Sequence, residues 1–227
     1  DIQALVKEET GYPAFITIDQ EGGTVTRLSE DCTNMPGAMA IAATGNVENA
    51  IQAAVITGKE LKALGVNFNL APVLDINSDP DNPVIGVRSY GDTPEKVVKY
   101  AIPTFKALLE QDILAVGKHF PGHGDTAVDS HLALPKVEKT KEELWQVELR
   151  SFMDAIEADI PAIMTTHILF PAFDEKYPST LSRAILTDLL RGEMGFEGLV
   201  LTDCMEMQAI QKEFGTVEGV LLSAKAG

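Results

Sequence analysis

The chain has 227 residues, 45% of them hydrophobic, and a net charge of −16. That length and apolar content suit one large α/β domain or two small ones and set aside a disordered chain. The acidic excess excludes nucleic acid and an anionic membrane surface as partners, because both need a basic face, but it does not exclude a substrate bearing carboxylates, since local potential outweighs the total.

The two cysteines, Cys32 and Cys204, are too few for a disulfide scaffold and form no Cys-x-x-Cys pair, so they read as free, structural thiols. No apolar run approaches a membrane span, and no basic-then-apolar leader opens the chain.

Short β-rich runs alternate with helical patterns. Residues 14–19 read as a strand flanked by Pro13 and Gly22-Gly23. Residues 49–64 carry apolar positions at helical spacing, ended by Gly65, and 66–74 form a second strand. Residues 93–112 predict a helix, with Thr93 as N-cap and Pro94 in the first turn. A third strand at 113–120 precedes a helix at 140–159, opened by the capping box Thr140-Lys141-Glu142-Glu143. A strand at 162–168 and a short one at 178–182 follow. Then come a helix at 183–194 closed by Gly195, a strand at 199–203 and the start of a helix at 206–213.

This rhythm predicts a parallel sheet with helices outside. The strands end in Asp19, Asp75, Lys118-His119, His167 and Asp203. A doubly wound sheet gathers its function at one switch point, whereas a (β/α)8 TIM-type barrel places polar groups at the carboxyl ends of many strands. No Gly-x-Gly-x-x-Gly follows the first strand, so the barrel is the expected α/β fold, with residues 1–227 as a single domain. Gly22-Gly23 reads as close backbone packing or a positive-φ turn, not as a phosphate cradle.

The densest chemistry lies in Lys118-His119-Phe120-Pro121-Gly122-His123-Gly124-Asp125-Thr126 and the following Asp129-Ser130-His131, which hold three of the four histidines. A buried strand thus ends in a loop crowded with titratable groups. A metal set of His119, His123, Asp125 and His131 matches no closed zinc spacing, and proline and glycine between the histidines rule out a helical pair, so neither a metal nor another cofactor is expected. His167 reads as a core histidine with satisfied hydrogen bonds. Asp203, after Leu199-Val200-Leu201, suits a nucleophile or a helix N-cap, and the two are compatible.

Four motifs add a resemblance: Ile18-Asp19-Gln20-Glu21-Gly22-Gly23-Thr24-Val25-Thr26-Arg27, Asn82-Pro83-Val84-Ile85-Gly86-Val87-Arg88-Ser89-Tyr90-Gly91, the stretch from Lys118 to Pro135, and Leu201-Thr202-Asp203-Cys204-Met205-Glu206-Met207. In this order they resemble glycoside hydrolase family 3, in its β-N-acetylglucosaminidase branch. The resemblance implies retaining hydrolysis of terminal β-linked N-acetylglucosamine through a glycosyl-aspartate, with small carbohydrates, such as peptidoglycan fragments, as partners. It makes Asp203 the nucleophile and His131 the acid/base, paired with Asp129. It assigns sugar binding to Asp19, Arg27, Arg88, Lys118 and His119.

Other readings stay open for some of these residues. Arg88 also suits a cap on the 79–82 loop, and Arg27 a pair with Glu21 or Asp19. In the family a strand precedes the Pro13 region and another begins past Gly227, so the chain corresponds to about strands two to seven. The family includes cytoplasmic recycling enzymes and exported ones, which leaves the compartment open. An imidazole acid/base does not repel an incoming anion, so phosphorolysis is an alternative to hydrolysis. A Schiff-base lyase using Lys118 and a non-catalytic amino-sugar module are others.

Overall fold

The computed structural model describes residues 2–28, 31–126 and 134–227. In chain order the described elements are α1 (Ile2–Thr10), β1 (Thr17–Ile18), α2 (Ala38–Ala43), α3 (Val47–Ala63), β2 (Phe68–Asn69), α4 (Pro94–Leu109), β3 (Leu114–Phe120), α5 (Lys141–Gln146), α6 (Glu148–Glu157), β4 (Ala162–Thr165), a π-type helix (Ala184–Glu193), β5 (Leu199–Thr202), α7 (Gln208–Gln211) and α8 (Thr216–Ala226). The five strands are all parallel and lie in sequence order, β1-β2-β3-β4-β5. They curl into part of a TIM-type α/β barrel, the fold class expected from the strand–helix rhythm.

Strand alternation sorts the core into two layers. Ala115, Phe120 and Ile163 face outward and pack with Phe105 and Leu108 of α4 and Phe152 of α6. Phe68, Val116, Ala162 and Met164 form a separate cluster on the inner face, flanked by Leu114 and Leu201. Gly117 sits on the outer layer, where a Cβ would lie 2.4 Å from Leu74 Cδ1 and 2.8 Å from Ile160 Cδ1. The side chains of Leu74 and Ile160 fill that space and leave no room for one at position 117. Among the described residues no helix is long and apolar enough to cross a membrane.

The first two strands are shorter than the sequence predicts, two residues each. Asparagine side chains do the work of a longer ladder. Asn67 accepts from the Ile16 N–H at 2.8 Å and donates to the Ala14 carbonyl at 2.9 Å. Two residues on, Asn69 accepts from the Gln20 N–H at 3.0 Å and donates to the Gln20 carbonyl at 2.9 Å. Residues 14–20 are therefore bonded along their length to 67–70, partly through backbone and partly through amides.

The expected short strand at 178–182 is instead a turn of 3₁₀ helix, Ser179–Leu181. Ser179 and Thr180 donate their hydroxyls to the Thr166 carbonyl at 2.8 and 2.9 Å, so side chains occupy the acceptor that a new strand would need. The expected helix at 140–159 begins at its capping box but breaks at Val147, whose φ of −120° and ψ of −78° are not helical. Beyond the break, Glu148 is buried against Lys139.

Candidate active site

The inner face of the sheet carries the side chains of the site at its carboxyl end. Asp19 follows β1, Lys118 and His119 lie on β3, and Asp203 follows β5 directly. Lys118 pairs in register with Met164, and Met164 with Leu201, so the concave row running across three strands ends beside Asp203. Adjacent residues of a regular strand face opposite ways. Here the register shifts between Lys118 and Phe120, which re-aims His119 to the same side as Lys118. With Arg27 from a loop and Arg88 from the 3₁₀ turn Gly86–Arg88, these residues line one cavity of about 420 Å³. All five residues expected to bind sugar, and the expected nucleophile, therefore share one pocket. Asp129 and His131 lie outside the described residues.

A charge network organises one wall. Glu21, with a side chain 7% exposed, takes a two-pronged contact from Arg88: Nη2 to Oε1 at 2.8 Å and Nε to Oε2 at 2.9 Å. Lys118 Nζ lies 2.7 Å from Glu21 Oε1 and 2.7 Å from Asp19 Oδ1. Burial pushes the Glu21 carboxyl up, but the hydrogen bonds of Arg88 and the charges of Lys118 and Arg88 win and hold it at about 2. Arg88 does not cap the 79–82 loop. That loop is closed by Asn82, whose Oδ1 accepts from Val84 and Ile85 N–H groups at 2.9 and 2.7 Å. Glu21 is engaged by Arg88 and Lys118 rather than by Arg27. Arg27 lines the cavity, and its backbone N–H is held 2.8 Å from the Gln20 side-chain oxygen.

A second cluster sits behind His119. Asp75 is fully buried and accepts from His119 Nδ1 at 2.6 Å, from the His119 N–H at 3.1 Å and from the His123 N–H at 2.7 Å. Burial raises its carboxyl, yet the charge and hydrogen bond of His119 outweigh that and keep it below its ordinary value. An ionised carboxylate only accepts, so His119 Nδ1 carries the hydrogen and Nε2 is the ring nitrogen presented to the cavity. His123 is the reverse case. Burial foremost, with the His119 charge, lowers it to about 4, so it is neutral at pH 7.

Asp203 is partly buried at the opposite wall. Its Oδ1 accepts from the Cys204 N–H at 2.7 Å, the backbone bond expected where a carboxylate opens a turn. Burial works to raise its carboxyl, but the charge on His119, the Cys204 amide and the charges of His167 and Lys118 hold it below the ordinary carboxylate range. His167 is the core histidine the sequence suggests: its ring nitrogens lie 2.9 Å from Thr180 Oγ1 and 3.0 Å from the Cys204 carbonyl, which steadies the turn after Asp203.

The surroundings of Lys118 decide against a Schiff base. A nucleophilic amine needs an apolar or cationic setting to lose its proton, and Lys118 lies between two carboxylates. Among the described residues no three His, Cys, Asp or Glu side chains are arranged to hold a metal. Asp125 pairs with Lys139 at 2.9 Å, and His123 Nδ1 contacts Thr126 Oγ1 at 2.7 Å.

Sequence reasoning missed the parts played by Glu21 and Asp75. Glu21 stands two residues after Asp19, and Asp75 interrupts the apolar run Val73-Leu74-Asp75-Ile76. A lone carboxylate inside an apolar run signals a buried, partnered group, and that signal was available.

Comparison with known proteins agrees with the fold. The chain is 40% identical, over 99% of its length and 40% of the relative's, to beta-hexosaminidase A of Pseudoalteromonas piscicida. It superposes with a TM-score of 0.97 and 50% identity on a glycoside hydrolase family 3 beta-N-acetylglucosaminidase from Paenibacillus sp. str. FPU-7, covering 99% of this chain and 43% of that one. NagZ of Neisseria gonorrhoeae, solved with N-trifluoroacetyl-D-glucosamine, gives a TM-score of 0.87 at 30% identity over 99% of this chain and 66% of that one. The chain thus spans less than half the length of the first two. Residues 1–227 match the model of the glycosyl hydrolase family 3 N terminal domain, and the chain belongs to that family.

Proposed function

We propose that this chain carries the active site of a retaining β-N-acetylhexosaminidase acting on small saccharides, including peptidoglycan fragments, that end in N-acetylglucosamine. The observation that carries the reading is one cavity with an ionised carboxylate, Asp203, on one wall and the Asp19–Lys118–Glu21–Arg88 network on another. Relatives named beta-hexosaminidase support the substrate class.

In this reading Asp19 accepts hydroxyl hydrogen bonds from the terminal pyranose, while Arg27, Arg88, Lys118 and His119 Nε2 donate to its oxygens. The network is formed before the sugar arrives, so little ordering cost falls on binding. Asp203 attacks the anomeric carbon, and the glycosidic C–O bond breaks as the leaving oxygen takes a proton from His131. His131, paired with Asp129, then removes a proton from water. That water attacks the anomeric carbon, and Asp203 leaves as a carboxylate. Held below the ordinary carboxylate range, Asp203 is ionised, as its attack requires, and is a good leaving group in the second step.

The test uses the full-length natural protein and a nitrophenyl N-acetyl-β-glucosaminide, followed by a fluorinated analogue that traps the intermediate. Turnover with the fluorosugar mass on Asp203 supports the reading. Absence of turnover, or label on another carboxylate, removes Asp203 from the role.

A further inference from the structure

We infer that Asp125, Lys139 and Glu148 act together as a positioning device for residues 127–133, a role that rests on the reading of Asp129 and His131 as the acid/base pair. Lys139 Nζ lies 2.9 Å from Asp125 Oδ2 and 2.5 Å from Glu148 Oε1. Asp125 precedes the segment and Lys139 follows it, so one ammonium joins the two limbs that enter and leave it. Glu148 ties that joint to α6, at the first position after the break at Val147.

The limbs are also fixed separately. On the entering side, Asn82 Nδ2 donates to the His123 carbonyl at 2.8 Å and to the Thr126 carbonyl at 3.2 Å. Gly122 packs so closely on Glu148 that a Cβ would lie 2.7 Å from the Glu148 Cβ. On the leaving side, the Val137 N–H donates to the Leu169 carbonyl and the Leu169 N–H to the Pro135 carbonyl, both at 3.0 Å. Lys139 is the side chain that bridges the two sides.

The cluster is costly, which argues for a task other than stability. The Glu148 side chain is 2% exposed, and its Oε2 has no hydrogen-bond partner among the described residues. A buried carboxylate with one ionic partner adds little net stability compared with an apolar side chain of the same shape. What the pair does supply is a fixed distance between two limbs. A proton donor must come within hydrogen-bond reach of the leaving oxygen, and an error of about 1 Å in such placement costs up to about 100-fold in rate.

The test compares Asp125→Asn, Lys139→Met and Glu148→Gln with His131→Ala in the full-length natural protein. The substrates are methyl and dinitrophenyl N-acetyl-β-glucosaminides, since only the methyl leaving group needs a proton. Each of the three variants should lower kcat/KM on the methyl glycoside about 10- to 100-fold and leave kcat/KM on the dinitrophenyl glycoside within about twofold, because kcat/KM reports the first step, in which only the methyl leaving group needs the proton. Lys139→Arg should recover most of the loss. A purely structural role would lower both substrates in parallel, and that result overturns the inference. If His131→Ala shows the split and the three variants do not, the positioning role falls while the acid/base reading stands. If His131→Ala shows no split, the acid/base reading falls and takes this inference with it. Should Lys139→Met or Glu148→Gln fail to fold, Asp125→Asn carries the test, because that side chain is 31% exposed.

Discussion

Replacing Glu21 with glutamine tests whether one carboxylate organises the sugar-binding wall. The substitution keeps shape and removes charge, leaving the half-buried Arg88 and the buried Lys118 without their shared partner. In the folded chain the Glu21 carboxyl is held at about 2 against an ordinary 4.5, which corresponds to roughly 3 kcal/mol of stabilisation at neutral pH. Because the folded value is depressed, that stabilisation is fully present above pH 4.5 and is lost as the pH falls toward 2. Glu21→Gln should therefore lower the melting temperature by roughly 6–12 °C at pH 7, and the gap between variant and wild type should shrink as the pH is lowered to 3. Thermal unfolding followed across that range measures both. KM for a nitrophenyl glycoside should rise as well, since Lys118 and Arg88 lose the acceptor that aims them. An unchanged melting temperature at pH 7, or a gap that does not narrow in acid, would refute the reasoning.

Asp203→Ala should cut turnover by roughly 10⁴-fold or more while leaving sugar affinity within a few-fold, measured by calorimetry with N-acetylglucosamine, because the proposed binding residues lie on other segments of the chain. Gly124→Ala places a Cβ 1.6 Å from the Ile76 carbonyl oxygen, so it should cost about 4 kcal/mol or prevent folding, seen as lost soluble yield or a melting drop. His123, held at about 4, takes a proton only in the unfolded chain between pH 6.5 and 4; it should destabilise the fold as pH falls through that window, and its ring should show no NMR titration above pH 5.

The barrel was legible because each strand is an apolar run ending in a polar group, and that signal survives even where the ladder is short. Asp19, Lys118, His119 and Asp203 were legible for the same reason. The helices α1, α2 and α8 were not. No residue of α1 is buried, and α2 is a six-residue, alanine-rich turn after Pro36-Gly37, so neither shows an apolar stripe. The break at Val147 leaves no mark in a sequence whose periodicity runs straight through it. Glu21 was read as a possible neighbour of Arg27 because its real partners, Arg88 and Lys118, lie 67 and 97 residues away in the chain, and only the fold brings them together.

Asn67 and Asn69 have a further consequence for Asp19. Backbone ladders repeat at every residue and tolerate a slip. A carboxamide offers an NH2 donor and an oxygen acceptor in fixed order; Asn69 spends both on Gln20, and Asn67 spends its own on Ile16 and Ala14 of the same neighbouring segment. The pair works like a key cut for a single alignment. A slip of one residue would mispair both amides and also turn Asp19 to the helix side of the sheet, away from Lys118. The alignment of the proposed sugar site is thus written partly into two amides that lie outside its cavity.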